Sequence, residues 1–256
     1  HHAKERGIEP IVGLTASIRV HDETIPLYVY AKNRQGYQML MKLSSAIAQT
    51  ENAVIPYRWL SAYSANCLII APVNDQQGYR SPKLYDTFTE HLAQSTSFAF
   101  AISRQFEGMS SKELEWITFA EKQGIPLTFY HEVRYLDEQD AVTYAVATAI
   151  RETVTLEEIT FPNGVYALRS EQQLKEMYED HPGWFAVQEQ LFAQCEPYAL
   201  PTKLHMPRYL QAENAMQTLK DRAYAQLVEK GLDDERYHSR LQYELDVIER
   251  LNFADY

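Results

Sequence analysis

Residues Cys67–Val73 read CLIIAPV, seven residues without a charge in a chain whose charged residues make up 23%. A run this short and this apolar reads as a strand covered on both faces, because a strand with one wet face would alternate. A sheet buried on both sides needs helices above and below it, so this one run points to a layered α/β architecture. The segments around it agree. Ile8–Val20 and Ile25–Ala31 carry the β-branched and aromatic enrichment of strands, with His21-Asp22-Glu23 as the turn between them. Gly36–Gln49 places Leu40, Leu43 and Ile47 at helical spacing. Lys83–Gln94 reads as a helix and Phe98–Ser103 as extended.

Ser110-Ser111-Lys112-Glu113 then offers a capping box ahead of a helix carrying Leu114, Ile117 and Ala120, closed by Gly124. Ile125–Tyr130 is the next strand and Glu138–Arg151 another helix. This alternation predicts a mostly parallel sheet, either open or closed into a barrel. After about residue 165 the strand signals stop. Ser170 and Gln173 form a second capping box for a short helix to Asp180, and Pro182 opens another over Gly183–Cys195. Pro197, Pro201 and Pro207 mark an extended connector. Met216, Leu219, Ala223 and Leu227 mark a helix stopped by Gly231.

The chain of 256 residues has room for one large domain, or one domain and part of another. It contains no run of eighteen apolar residues, so no membrane span is expected. Cys67 and Cys195 are the only cysteines, which fits two buried thiols in a reducing cytosol better than a disulfide framework or zinc site. The formal charge of −11 argues against this stretch gripping DNA by itself, since phosphate binding needs a basic face. His1-His2 carry no functional weight.

The last twenty residues, Tyr237–Tyr256, form an amphipathic helix with Tyr237, Leu241, Leu245, Ile248 and Leu251 on one face. Asp233 or Asp234 is the N-cap and Glu235 lies in the first turn. No C-cap signal follows, so the helix is expected to break off in mid-element, as in a piece of something longer. Its segment RLQYELDVIERLNFADY resembles the opening of the palm domain in C-family DNA polymerases, the bacterial DNA polymerase III alpha subunits. That family carries a helix of the form RLxYELxVIxxxGFxDYF. Arg240, Tyr243, Glu244, Leu245, Val247, Ile248, Phe253, Asp255 and Tyr256 match, with Asn252 where the family usually has Gly.

Three further stretches agree in order. Gly7–Gly13 resembles the family's GIKPIIG strand, and Ala31-Lys32-Asn33 with Gly36-Tyr37-Gln38 its AKNxxGYxNL turn and helix. Leu204-His205-Met206-Pro207-Arg208-Tyr209 resembles the LPRF segment leading out of the PHP (polymerase and histidinol phosphatase) domain. The resemblance implies an incomplete PHP-type distorted (β/α)7 barrel over residues 1–206, lacking its first βα units. Residues 207–256 would follow as an all-helical start of the palm. The shorter alpha subunits of Gram-positive bacteria are the nearer comparison. The parent would be a cytoplasmic DNA-directed DNA polymerase that engages DNA, with Mg2+ at aspartates beyond residue 256 and replisome proteins as possible partners.

A barrel places working residues at the C-terminal ends of its strands, which singles out His131 and Glu132 after Ile125–Tyr130. By spacing alone, solvated loop residues are the favoured reading. The resemblance sharpens this, because PHP domains with intact metal sites carry an Asp and a His there, one residue apart. Those positions match Glu132 and Arg134, and a guanidinium has no lone pair to donate. The family's glutamate after the GIKPIIG strand matches Thr15, and its histidine on the following strand matches Pro26. No catalytic, metal-binding or cofactor-binding residue is therefore expected in this stretch. Arg134 is expected to replace part of the lost cation charge, by pairing with Glu132 or an upstream acid.

GxSxG, GxxxxGK[ST], HExxH and GxGxxG patterns are absent. Tyr28 and Tyr30 alternate on one strand face, where an aromatic core or helix-covered surface is expected rather than an RNA-stacking platform. His205 is expected to pack between domains. The leading function is an inactive PHP platform within a replicative polymerase. The alternatives are a free-standing metal-dependent PHP phosphoesterase, and a docking module for a proofreading exonuclease or another replisome protein.

Overall fold

The computed structural model describes residues 2–75, 78–86, 97–105, 110–159, 164–200, 207–209 and 213–256. The strands are β1 Gly13–Val20, β2 Glu23–Ala31, β3 Val54–Pro56, β4 Cys67–Pro72, β5 Asn74–Asp75, β6 Gly78–Tyr79, β7 Ser97–Ile102 and β8 Leu127–Phe129. The helices are α1 His2–Glu5, α2 Arg34–Ala48, α3 Tyr57–Tyr63, α4 Ser110–Gln123, α5 Ala141–Glu152, α6 Glu171–Met177, α7 Gly183–Phe192, α8 Ala215–Glu229 and α9 Glu235–Leu251. The chain divides into two compact units, His1–Ala199 and Leu200–Tyr256.

In the first unit six strands form one sheet in the order β3-β1-β2-β4-β7-β8. β1 and β2 make a hairpin in continuous register from Gly13↔Tyr30 to Val20↔Glu23, turned at His21-Asp22 with His21 in the left-handed region. β2 is the one strand that runs against the rest, being antiparallel to both β1 and β4, while the remaining pairs are parallel. The mostly parallel sheet read from the sequence is therefore present. Between β3 and β8 the described residues form an open sheet.

All six residues of β4 are buried, as the CLIIAPV run requires. Its two faces enter different cores. Ile69 and Ala71 join Ile25, Leu27 and Val29 of β2 and Phe98, Phe100 and Ile102 of β7 under α2, α3 and α4. Phe100 and Tyr85 pack against Trp116 with ring centroids 4.9 Å and 5.2 Å away. On the other face Leu68 and Ile70 meet Ala99, Ala101, Tyr28, Tyr30 and Leu191 of α7. The two β7 alanines are small, so α7 can lie close. It is tied to β8 by Thr128 Oγ1 donating to the Trp184 carbonyl at 3.1 Å and Gln188 Nε2 to that of Phe129 at 3.3 Å. Tyr28 and Tyr30 thus lie on a helix-covered surface, as expected. α2 is placed by Asn33, whose side chain accepts from the Gln35 and Gly36 N–H groups. Gly36 is obligatory there, because a Cβ would collide with the Asn66 carbonyl.

The first strand starts at Gly13, not Ile8, and Ile8 stands exposed before it. Of the helix expected over Lys83–Gln94, Pro82–Tyr85 is a 3-10 turn and 87–94 lie outside the described residues. α4 presents Glu113, Trp116 and Ala120 to the core and leaves Leu114 exposed, a face rotated from the one anticipated. The Ser170/Gln173 capping box is formed in both directions.

In the second unit α8 and α9 are joined by a Lys220–Glu249 ion pair at 2.9 Å and by Tyr224 Oη donating to Gln242 at 2.9 Å. Asp234 is the N-cap of α9, and Leu245 is its buried residue. The absence of a C-cap was the wrong expectation. Asn252 adopts the left-handed conformation (φ 57°), and the Phe253 N–H donates to the Ile248 carbonyl at 3.1 Å. Asn tolerates this conformation nearly as Gly does, which explains how it stands where the resembled motif has Gly. Among the described residues no helix is long and apolar enough to cross a membrane.

Candidate functional site

The parallel strands β4, β7 and β8 end side by side, and each delivers a polar residue to the same rim. After β4, Asn74 is 2% exposed; its Oδ1 accepts the Ser103 N–H at 2.8 Å and its Nδ2 donates to the Ser103 carbonyl. After β7, Gln105 holds the loop that follows β8. Its Oε1 accepts the Glu132 N–H at 2.6 Å, while its Nε2 donates to the carbonyls of Glu132 at 2.8 Å and Val165 at 2.7 Å. After β8, Tyr130 donates its hydroxyl to the Asn74 carbonyl.

His131 and Glu132 are consequently fixed and half-buried rather than freely solvated. His131 Nε2 lies 3.0 Å from the Ala167 carbonyl, an arrangement that needs the proton on Nε2. Its Nδ1 is then a buried lone pair without a hydrogen-bond partner. Burial, reinforced by the nearby Arg169 charge, holds the ring below the ordinary histidine pKa against the opposing pull of the carbonyl. The Glu132 carboxylate, 16% exposed, forms an ion pair with the Arg134 guanidinium, 43% exposed.

These residues line a cleft of about 530 Å3 with Gly13, Leu14 and Thr15 of β1, Tyr28 and Tyr30 of β2, and Gln188 and Phe192 of α7. Thr15, Glu132 and Arg134, singled out from distant parts of the sequence, therefore share one cavity. Pro26 is not among its lining residues. It sits where β2 has only β1 as a neighbour, since β4 pairs no further than Tyr28, and a residue without an N–H is tolerated there. His205 lies outside the described residues. This donor set is poorer in anionic ligands than a cluster of divalent cations ordinarily uses. It supplies a neutral hydroxyl, the single unpartnered imidazole nitrogen of His131, one carboxylate already facing a cation, and a guanidinium that repels metals.

A second polar cluster escaped the sequence reading. Arg104, just past β7, donates to both Glu113 oxygens, at 3.1 Å and 2.5 Å, and to both Asp180 oxygens, at 2.7 Å and 2.8 Å. It also donates to the Met177 carbonyl at 2.7 Å, and its guanidinium carbon lies 5.1 Å from the centre of the Tyr178 ring. His181 Nε2 is 3.2 Å from Glu113, and its ring stacks on Trp184 at 4.2 Å. Among the described residues, Glu113, Asp180 and His181 are the one group whose ligand atoms fall within 4.8 Å of each other. Arg104 already gives both carboxylates of this group a cationic partner. Its hydrogen bonds hold the Asp180 carboxyl at a pKa of about 2. The available signal was Glu113, an acid in the first turn of its helix, whose carboxylate turns to Arg104.

Comparison with known proteins matches residues 1–126 to the PHP domain. The chain is 31% identical over 271 residues to the DNA polymerase III subunit alpha of Bacillus subtilis, covering 99% of this chain and 24% of that protein. The Streptococcus pyogenes serotype M18 subunit is 28% identical over 254 residues, covering 99% and 22%. That of Halalkalibacterium halodurans is 26% identical over 275 residues, covering 99% and 24%. The chain thus spans about a quarter of the length of these curated relatives. Residues 1–126 thus match the PHP domain, and nearly every residue of the chain aligns with bacterial DNA polymerase III alpha subunits, to which it is similar.

Proposed function

We propose that this chain is the PHP platform and the first palm helices of a replicative polymerase alpha subunit, and that its PHP domain works without metal. Templated DNA synthesis, its Mg2+ ions and the contact with DNA belong to the rest of the parent, in the cytoplasm. The observation that carries this reading is the Glu132–Arg134 ion pair in the cleft that also holds Thr15. A guanidinium beside the carboxylate supplies positive charge permanently and offers no ligand atom. The cleft then has neither a Lewis acid nor a metal-bound water with which to attack a phosphodiester. Its remaining role is structural, with Gln105 and Asn74 fixing the strand ends on which the following segments stand.

The test is metal analysis of the full-length alpha subunit purified without chelator, with hydrolysis of a 3′-mismatched primer assayed alongside. Substoichiometric zinc and manganese with no excision attributable to the subunit is the expected result. One or more tightly held ions per chain, lost together with excision in Glu132→Ala, would overturn it and favour the phosphoesterase reading.

A further inference from the structure

The outward face of α5 is apolar where a surface helix is ordinarily polar. Ala141, Thr148 and Ala149 turn inward and are buried, with Tyr144 half-buried against Tyr135 and Tyr166. Opposite them, Val142, Val146 and Ile150 are 63%, 41% and 75% exposed and follow one another at four-residue spacing. From Ala141 to Ile150 the helix carries no charge. An apolar helix face is ordinarily buried, and among the described residues this one is uncovered. The stripe continues past the left-handed Thr153 into exposed Val154 and Leu156.

Both ends of the stripe are acidic. Asp137, Glu138 and Asp140 precede the helix, Glu152 is its last residue, and Glu157 and Glu158 follow it. Arg151 pairs with Glu152 and Arg169 with Glu138, which leaves the rim with a net negative charge.

We propose that this face is a docking site for an amphipathic helix from a protein partner, one whose apolar stripe is flanked by Lys or Arg. Val142, Val146 and Ile150 present the i, i+4, i+8 row into which such a helix packs its own anchors. The carboxylates at both ends select basic over acidic flanks and speed encounter with them. The inference stands apart from the metal question, since none of its residues lines the cleft.

The probes are two labelled synthetic helical peptides of about 16 residues, sharing one Leu/Ala stripe and differing in Lys or Glu end turns. Titrated with the full-length alpha subunit, the Lys-flanked peptide should bind at least about tenfold tighter than the Glu-flanked one, with the preference shrinking as salt is raised, and failure of the Lys-flanked peptide to bind would overturn the proposal. Ile150→Lys and Val142→Lys should each abolish binding while leaving the melting transition in place, since both side chains are exposed. Glu157→Lys should reduce the preference between the two peptides without abolishing binding. Equal binding of both peptides, or unchanged binding in Ile150→Lys, would overturn the proposal. So would self-association that Ile150→Lys abolishes in a chain that ignores the Lys-flanked peptide, because the occupant would then be a second copy.

Discussion

Two arginines stand just past neighbouring parallel strands, and their surroundings could hardly differ more. Arg104, after β7, is gripped by two carboxylates, a carbonyl and an aromatic face, and one of those carboxylates, Glu113, is only 5% exposed. Arg134, after β8, pairs with Glu132 at the mouth of a cleft and is 43% exposed. Water solvates the second guanidinium and cannot reach Glu113. A charge pair therefore counts for stability according to what would be stranded if one partner were lost, not according to the closeness of the contact.

The largest expected effect comes from stranding Glu113. Arg104→Met should destabilise the first unit by about 3–5 kcal/mol in urea unfolding, because a buried carboxylate loses its counter-charge and the Met177 carbonyl its donor. Adding Glu113→Leu should recover most of that loss, since an apolar pair of similar volume is tolerated where a single charge is not. A small effect of Arg104→Met alone would break the comparison at its root.

Next comes the hinge between the two arginines. Gln105 ties Glu132 and Val165 to the end of β7 by three hydrogen bonds. Gln105→Leu removes these three hydrogen bonds to partly buried backbone and should cost about 1–3 kcal/mol. It should also speed amide exchange at Glu132 more than at residues beside Arg104, which would show that the two sites open separately.

Acid should distinguish them too. Asp180, beside Arg104, has its pKa lowered from 3.8 to about 2, so its stabilisation is complete above the unfolded value and lost as pH falls from about 4 towards 2. His131, beside Arg134, is also lowered, from 6.5, because burial disfavours its charged form. Unfolded chains then bind the proton more readily than folded ones, so stability declines as pH drops below about 6.5. A two-stage acid melt is expected, with His131→Asn removing the upper stage and Arg104→Met the lower one.

What the sequence disclosed follows the same division. CLIIAPV, the hairpin and the Ser170 box were legible because burial, register and capping leave local patterns. Asn252 as a left-handed cap was missed because Asn is the less common residue there. The rotated face of α4 was missed for a reason of another kind. Leu114 suggested the inward side, whereas Glu113 is buried by an arginine from β7 and a histidine after α6, partners 9 and 68 residues distant. Thr15 and Arg134 were picked out only through resemblance to a family, Glu132 also by its place at a strand end, and Gln105 and Asn74 by nothing local at all. Contacts between strand ends have no period, so a periodicity reading passes over them.

The smallest effect sharpens the comparison most. Arg134→Ala should change stability by no more than about 1 kcal/mol, because Glu132 is held through its backbone by Gln105 and its carboxylate can turn to water in the cleft. Loss of the guanidinium would still change the electrostatics, since it removes the cation facing Glu132 and leaves the cleft net negative. Weak zinc uptake, measured by a competitive dye, is therefore expected in Arg134→His and greater still with Thr15→Glu added, because each change restores a ligand atom. If Arg134→Ala instead unfolded the first unit as readily as Arg104→Met, the Arg134–Glu132 pair would be structural in the same sense as the Arg104 cluster, and the charge of Arg134 could not be read as a substitute for a cation.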